Sequence, residues 1–146
     1  MGFDEIRSLL PHAFPMLMLD RVLELEPGKR IVTRKCISGS ELYLQGHFPK
    51  GSAIVPGVLL VEAIAQSALL LGLKSNLTSL THKIHYLTSI KATFRGVAVP
   101  GDVIDFEIFM DVTTEKAVSY TGIGRVNEKV IVKATNLSVL ALTEEQ

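Results

Sequence analysis

The chain has 146 residues, with 15 Lys+Arg against 15 Asp+Glu and a single cysteine. A zero formal balance supplies no electrostatic drive toward nucleic acid or an anionic membrane surface, and one thiol excludes a disulfide framework and a cysteine zinc site. At 47% hydrophobic and 21% charged the composition excludes a disordered chain, and the length fits one domain over residues 1–146 with room for a core.

Asp4 stands where it can cap a short helix over Glu5–Leu10, which Pro11 would end. The acidic start lacks the basic residues of a secretory signal, so the expected location is cytoplasmic. His12–Pro15 reads as a loop, and Met16–Leu25, too apolar for one, is expected to begin a sheet. Glu26-Pro27-Gly28-Lys29 is a turn, and Arg30–Ile37 alternates as a strand until Ser38-Gly39-Ser40 breaks it. Gln45–Val55 has no period and reads as a long irregular connection.

Pro56-Gly57 then opens a helix, over about residues 56–73, whose apolar run Val58–Leu73 is shorter than the ~20 residues of a membrane span and is interrupted by Glu62 and Gln66. A helix apolar nearly all round belongs in a core, with Ser75-Asn76 able to close it. His82–Val97, Val103–Val112, Ala117–Val126 and Val130–Leu142 read as strands, with turns at Val99–Asp102 and Asn127–Lys129. The expected class is α+β, an antiparallel sheet around one buried helix, in a homodimer that continues the sheet.

Glu62 is the first chemical anomaly. A carboxyl among Val58, Leu59, Leu60, Val61, Ala63, Ile64 and Ala65 is satisfied by Gln66 four residues on and by backbone groups, or lies on an exposed stripe, or is a proton donor with a raised pKa. His47, in Gly46-His47-Phe48-Pro49, is a structural loop histidine or a base for a proton near pH 7. The N–H groups after Pro56 serve simple helix initiation or polarise a carbonyl oxygen. His82 and His85 are three apart without a third ligand, so no metal site is expected. Gly122-Ile123-Gly124 lacks a dinucleotide-binding context and is expected to be a strand irregularity.

Gly46-His47-Phe48-Pro49, then Ile54-Val55-Pro56-Gly57-Val58-Leu59, then Glu62-Ala63-Ile64-Ala65-Gln66, resembles the signature of the 3-hydroxyacyl-acyl-carrier-protein dehydratases. Leu10-Pro11-His12 to Pro15, Leu19–Val22, Glu26–Arg30, Lys91–Arg95 and Val99–Asp102 extend the resemblance over most of the chain. The stretch Lys50-Gly51-Ser52-Ala53 departs from the family pattern by one added residue, placed in a loop, and the usual proline before Ile54 is absent.

The resemblance implies a hot-dog fold and the glutamate branch that makes trans-2-enoyl products. It also implies no cofactor, and homodimers with a hexamer as the larger assembly. It further implies a site between subunits, where His47 faces Glu62 of the other chain. Gly57 would polarise the thioester carbonyl beside Val58 at the acyl chain's way in, the Ile54 carbonyl would orient His47, and Gln66 would support Glu62. The implied reaction is dehydration of a 3-hydroxyacyl group, with His47 taking the α-proton and Glu62, kept protonated by an apolar site, giving one to the hydroxyl. The implied partner is an acidic acyl carrier protein, for which Lys91 and Arg95 are basic candidates. The same fold could serve an acyl-CoA thioesterase or a non-catalytic acyl-binding subunit.

Overall fold

A computed structural model describes residues 1–77, 84–114 and 117–142. Helix α1 is Phe3–Leu9, followed by β1 (Arg21–Glu26), β2 (Arg30–Cys36) and a 3-10 turn at Leu42–Gln45. The long helix α2 is Gly57–Lys74. Strands β3 (Ile84–Phe94), β4 (Val103–Thr113), β5 (Ala117–Val126) and β6 (Lys129–Leu142) complete the order. Six antiparallel strands form one sheet in the order β1-β2-β4-β5-β6-β3, which leaves β1 and β3 as its edges. The sheet wraps α2, which packs against β2, β3, β4, β5 and β6. This is the hot-dog arrangement, in the α+β class expected.

The apolar run of α2 is what places it inside. Leu60, Ile64, Ala68, Leu70 and Leu71 are buried against Ile31, Ile104, Phe106 and Ile108 of the sheet. One polar pair crosses this interface. The Ser67 hydroxyl donates to the Ala63 carbonyl at 2.7 Å, so the single hydroxyl proton left in the pair is that of Thr33, which donates to Ser67 at 2.7 Å.

Gly122 lets the sheet close on the helix, and Gly124 makes room for side chains of the neighbouring strands. A Cβ at Gly122 would lie 2.6 Å from Ile64 Cγ2 and 2.8 Å from Ile108 Cδ1, and one at Gly124 would lie 2.7 Å from Val132 Cγ1. The β5–β6 register shifts beside both glycines, the irregularity expected from Gly122-Ile123-Gly124. Gly122→Ala is therefore expected to cost about 1–3 kcal/mol through overpacking, read as a lower urea midpoint at fixed protomer concentration. An unchanged midpoint would mean that α2 sits farther from β5 than described. The hairpin itself is closed by Asn127 and Glu128, at φ 47° and 65°, between the paired Val126 and Lys129.

Several boundaries differ from expectation. Helix α1 starts at Phe3 with Gly2 before it, so Asp4 lies in the first turn and makes no capping bond. Met16–Asp20 is not strand. Met16 and Leu17 both donate to the Ala13 carbonyl, at 2.8 and 3.1 Å, and Met18 and Leu19 are buried. The segment is apolar because a loop packs inward, and Asp20 N–H joins its end to the Arg34 carbonyl of β2 at 2.9 Å. Strand β3 stops at Phe94 rather than Val97, since Arg95 and Gly96 both turn their N–H groups to the Ile131 carbonyl. His82 lies outside the described residues.

Candidate active site

The loop before α2 holds His47 by its own backbone. The Ile54 carbonyl accepts from His47 Nδ1 at 2.8 Å, and Ile54 N–H returns a bond to the His47 carbonyl at 3.2 Å. A carbonyl can only accept, so Nδ1 carries a proton, and in the neutral ring the lone pair is then on Nε2. Phe48 stacks on the imidazole with ring centroids 3.9 Å apart. The added residue of Lys50–Ala53 is absorbed in a turn that Gly51 N–H closes on the Phe48 carbonyl at 3.2 Å, upstream of Ile54. Val55 N–H bonds the Ala98 carbonyl at 2.9 Å, which ties the loop to the β3–β4 connection.

The next residue, Pro56, caps α2 and Gly57 is its first helical residue. The N–H groups of Gly57 and Val58 are in the first turn, where no intrahelical carbonyl can take them, at the positive end of the helix dipole. A Cβ on Gly57 would stand 2.9 Å from Phe94 Cε1, so glycine is what lets that ring of β3 cover the helix start. Val58 is 73% exposed.

Glu62 lies one turn further along α2. Gln66 Nε2 donates to Glu62 Oε1 at 2.8 Å, as the i,i+4 spacing predicts, and also to the Met16 carbonyl at 2.6 Å. Gln66 Oε1 accepts from Met18 N–H at 2.9 Å. One buried amide thus staples the loop that follows α1 to the helix and steadies Glu62. That loop brings a residue with no role assigned from sequence: His12, whose Nε2 is 3.3 Å from Glu62 Oε1.

The carboxyl is held below the usual carboxylate range, chiefly by the His12 ring 3.3 Å away. Burial pushes it up, but the Gln66 amide adds to the lowering. The expectation that apolar surroundings keep Glu62 protonated is therefore corrected for the unliganded chain: two hydrogen-bond donors outweigh the desolvation.

Glu62, Gln66 and His12 line a cavity of about 150 Å³, shared with His85, Tyr86 and Leu87 of β3 and Val139 of β6. A larger cavity of about 880 Å³ opens between α1, the 13–18 loop and Leu42-Tyr43, and neither Glu62 nor His47 lines it. Met16–Met18 line the larger cavity, and Gln66, which holds their backbone, lines the smaller. Of the residues singled out from sequence, His47 and Ile54 are in contact, Glu62 and Gln66 are in contact, and Gly57-Val58 open the helix that carries Glu62. Nothing in the apolar periodicity pointed to His12, because it sits in an aperiodic loop fifty positions from the helix it touches.

The chain matches a family model described as the FabA-like domain over residues 10–135. It is 42% identical over 140 residues, 93% of this chain and 88% of the relative, to the 3-hydroxyacyl-[acyl-carrier-protein] dehydratase FabZ of Anaeromyxobacter. It is 40% identical, over 89% of the chain and 90% of the relative, to the FabZ of Clostridium tetani. In fold it is similar to a chain of the dehydratase heterocomplex ApeI:P from Xenorhabdus doucetiae, with a TM-score of 0.75 at 19% identity over 95% and 91% of the two chains. A hot-dog sheet, the His47–Ile54 and Glu62–Gln66 pairs and this extent of identity place the chain in the FabA-like, FabZ-type 3-hydroxyacyl-acyl-carrier-protein dehydratase family.

Proposed function

We infer that this chain removes water from a (3R)-3-hydroxyacyl thioester on acyl carrier protein and leaves the trans-2-enoyl thioester, as a hydro-lyase of fatty-acid synthesis. The observation that carries the reading is the 2.8 Å bond from His47 Nδ1 to the Ile54 carbonyl, which leaves Nε2 as a base. His47 Nε2 takes the α-proton. The electron pair of that C–H bond moves toward the thioester carbonyl, whose oxygen gains charge against the N–H groups of Gly57 and Val58. As the Cα=Cβ bond forms, the Cβ–O bond breaks, and Glu62 gives the hydroxyl the proton with which it leaves as water. The bound acyl chain excludes water from Glu62 and so favours the neutral carboxyl in the complex.

The arrangement calls for a homodimer in which His47 of one protomer faces the partner's Glu62. Strand β3 supports this reading: it is a sheet edge with unpaired backbone groups and carries exposed Tyr86, Leu87 and Phe94, a combination suited to pairing with a second copy. Lys91 and Arg95 are both exposed near the end of this strand and supply positive charge for an acidic carrier protein, although Arg95 lies just past the strand and so shares no strand face with Lys91.

The protein is to be incubated with 3-hydroxyacyl-carrier protein and, separately, with acyl-CoA. Enoyl product without free thiol is the expected result. Free thiol without enoyl product would make the chain a thioesterase, and neither product would make it an acyl-binding subunit.

A further inference from the structure

The mechanism above leaves one titratable group of the site unused. His12 and Glu62 are equally shielded, each side chain 26% exposed, with Nε2 of one 3.3 Å from Oε1 of the other. The other ring nitrogen, Nδ1, is buried and has no hydrogen-bond partner among the described residues.

Proton bookkeeping around Glu62 is tightly determined. Gln66 Oε1 takes the Met18 N–H, so its NH₂ faces Met16 and Glu62. An amide N–H only donates, so Oε1 is an acceptor at that contact in either charge state of Glu62. The His12 contact falls on the same oxygen. If Nε2 carries the imidazole hydrogen, Oε1 accepts from Gln66 and faces that hydrogen from 3.3 Å, which leaves Oε2 for any proton that Glu62 binds. The reverse tautomer would bury an N–H on Nδ1 with no acceptor, which is the costlier way to leave a nitrogen unpaired.

We propose that His12 is a positioning residue for the acid. As the Nε2–H tautomer it occupies Glu62 Oε1 together with Gln66, so that the transferable proton is confined to Oε2, the oxygen left for the substrate hydroxyl. The two histidines of the site then hold opposite tautomers for opposite purposes. His47 is locked with its proton on Nδ1 and its lone pair outward, to take a proton. His12 has its proton on Nε2, to direct one. The lowered range of Glu62, with the His12 bond as first cause, agrees with a donor at that contact. The other titratable groups facing the cavity are His85 and Tyr86 of β3, and β6 contributes only Val139.

This inference rests on the dehydratase reading but is tested apart from it. Long-range ¹⁵N spectra of the wild-type protein at pH 7 are expected to show His12 protonated on Nε2 and His47 on Nδ1. The same tautomer at both, or an Nδ1–H at His12, would overturn the proposal whether or not the protein dehydrates anything.

In the assay, His12→Leu is expected to lower kcat at least about tenfold with KM within threefold, and to move the alkaline limb of the kcat profile up by roughly one unit, since a donor to the carboxylate is gone. His12→Gln keeps an N–H in that place and is expected to restore kcat to within about threefold and return the limb. Equal losses in both variants with an unmoved limb would mean that His12 only props the loop, and full activity in His12→Leu would remove it from the site. If His12→Leu does not fold, the tautomer and His12→Gln still decide. A wild-type protein that makes no enoyl product would sink the function and leave the tautomer test standing.

Discussion

His47→Ala is expected to lower dehydration by roughly 10²–10⁴-fold, the usual worth of a positioned base, with the fold kept. The side chain is half-buried in a loop, and its one hydrogen bond is to the Ile54 carbonyl. Losing it costs about 1 kcal/mol, and the loop retains its Ile54–His47, Gly51–Phe48 and Val55–Ala98 backbone bonds. The loss should therefore fall on kcat, with little change in KM, circular dichroism or the sedimentation of the assembly. His47→Gln separates the two roles of the ring: its amide can still donate to Ile54 but cannot take the α-proton, so it should be as inactive as the alanine variant. Activity above a tenth of wild type in either protein would remove His47 as the base.

Much of this frame was legible in the sequence, and the reasons differ from element to element. Helix α2 announced itself because Val58–Leu73 is apolar on every side, a pattern that only a buried helix tolerates. The Gln66–Glu62 bond followed from i,i+4 spacing. The turn at Asn127–Lys129 was legible as the polar link between two strands. Periodicity reports neighbours along an element and is silent about neighbours across the fold. So Met16–Asp20 read as strand, when its apolar side chains serve a loop pressed on α2. So too His12 went without a role, and Glu62 was expected to be neutral from its helical surroundings alone. The donor that reverses that expectation arrives from a loop fifty positions upstream.

Glu62→Gln tests both the acid and its charge state. An amide oxygen can still accept from Gln66 and His12 in place of Oε1, so the loop should stay seated, but an amide has no proton of useful acidity to give the hydroxyl. Dehydration is expected to fall at least about 100-fold. Stability should change in a pH-dependent way. The folded pKa of Glu62 lies below its ordinary value, so the carboxylate contributes stability that is fully present above the unfolded value near ~4.3 and is lost as pH falls through the folded one. Glutamine lacks that contribution at every pH. At pH 7 the variant should therefore be less stable, by about 1 kcal/mol for charge-assisted bonds that solvent partly screens. As pH falls below the ordinary carboxyl range, the gap should shrink. Urea midpoints of both proteins at pH 7 and at pH 3.5, at one protomer concentration, read this difference. A variant more stable than wild type at pH 7 would show that burial, not His12 and Gln66, governs the carboxyl. Glu62 would then be neutral at rest.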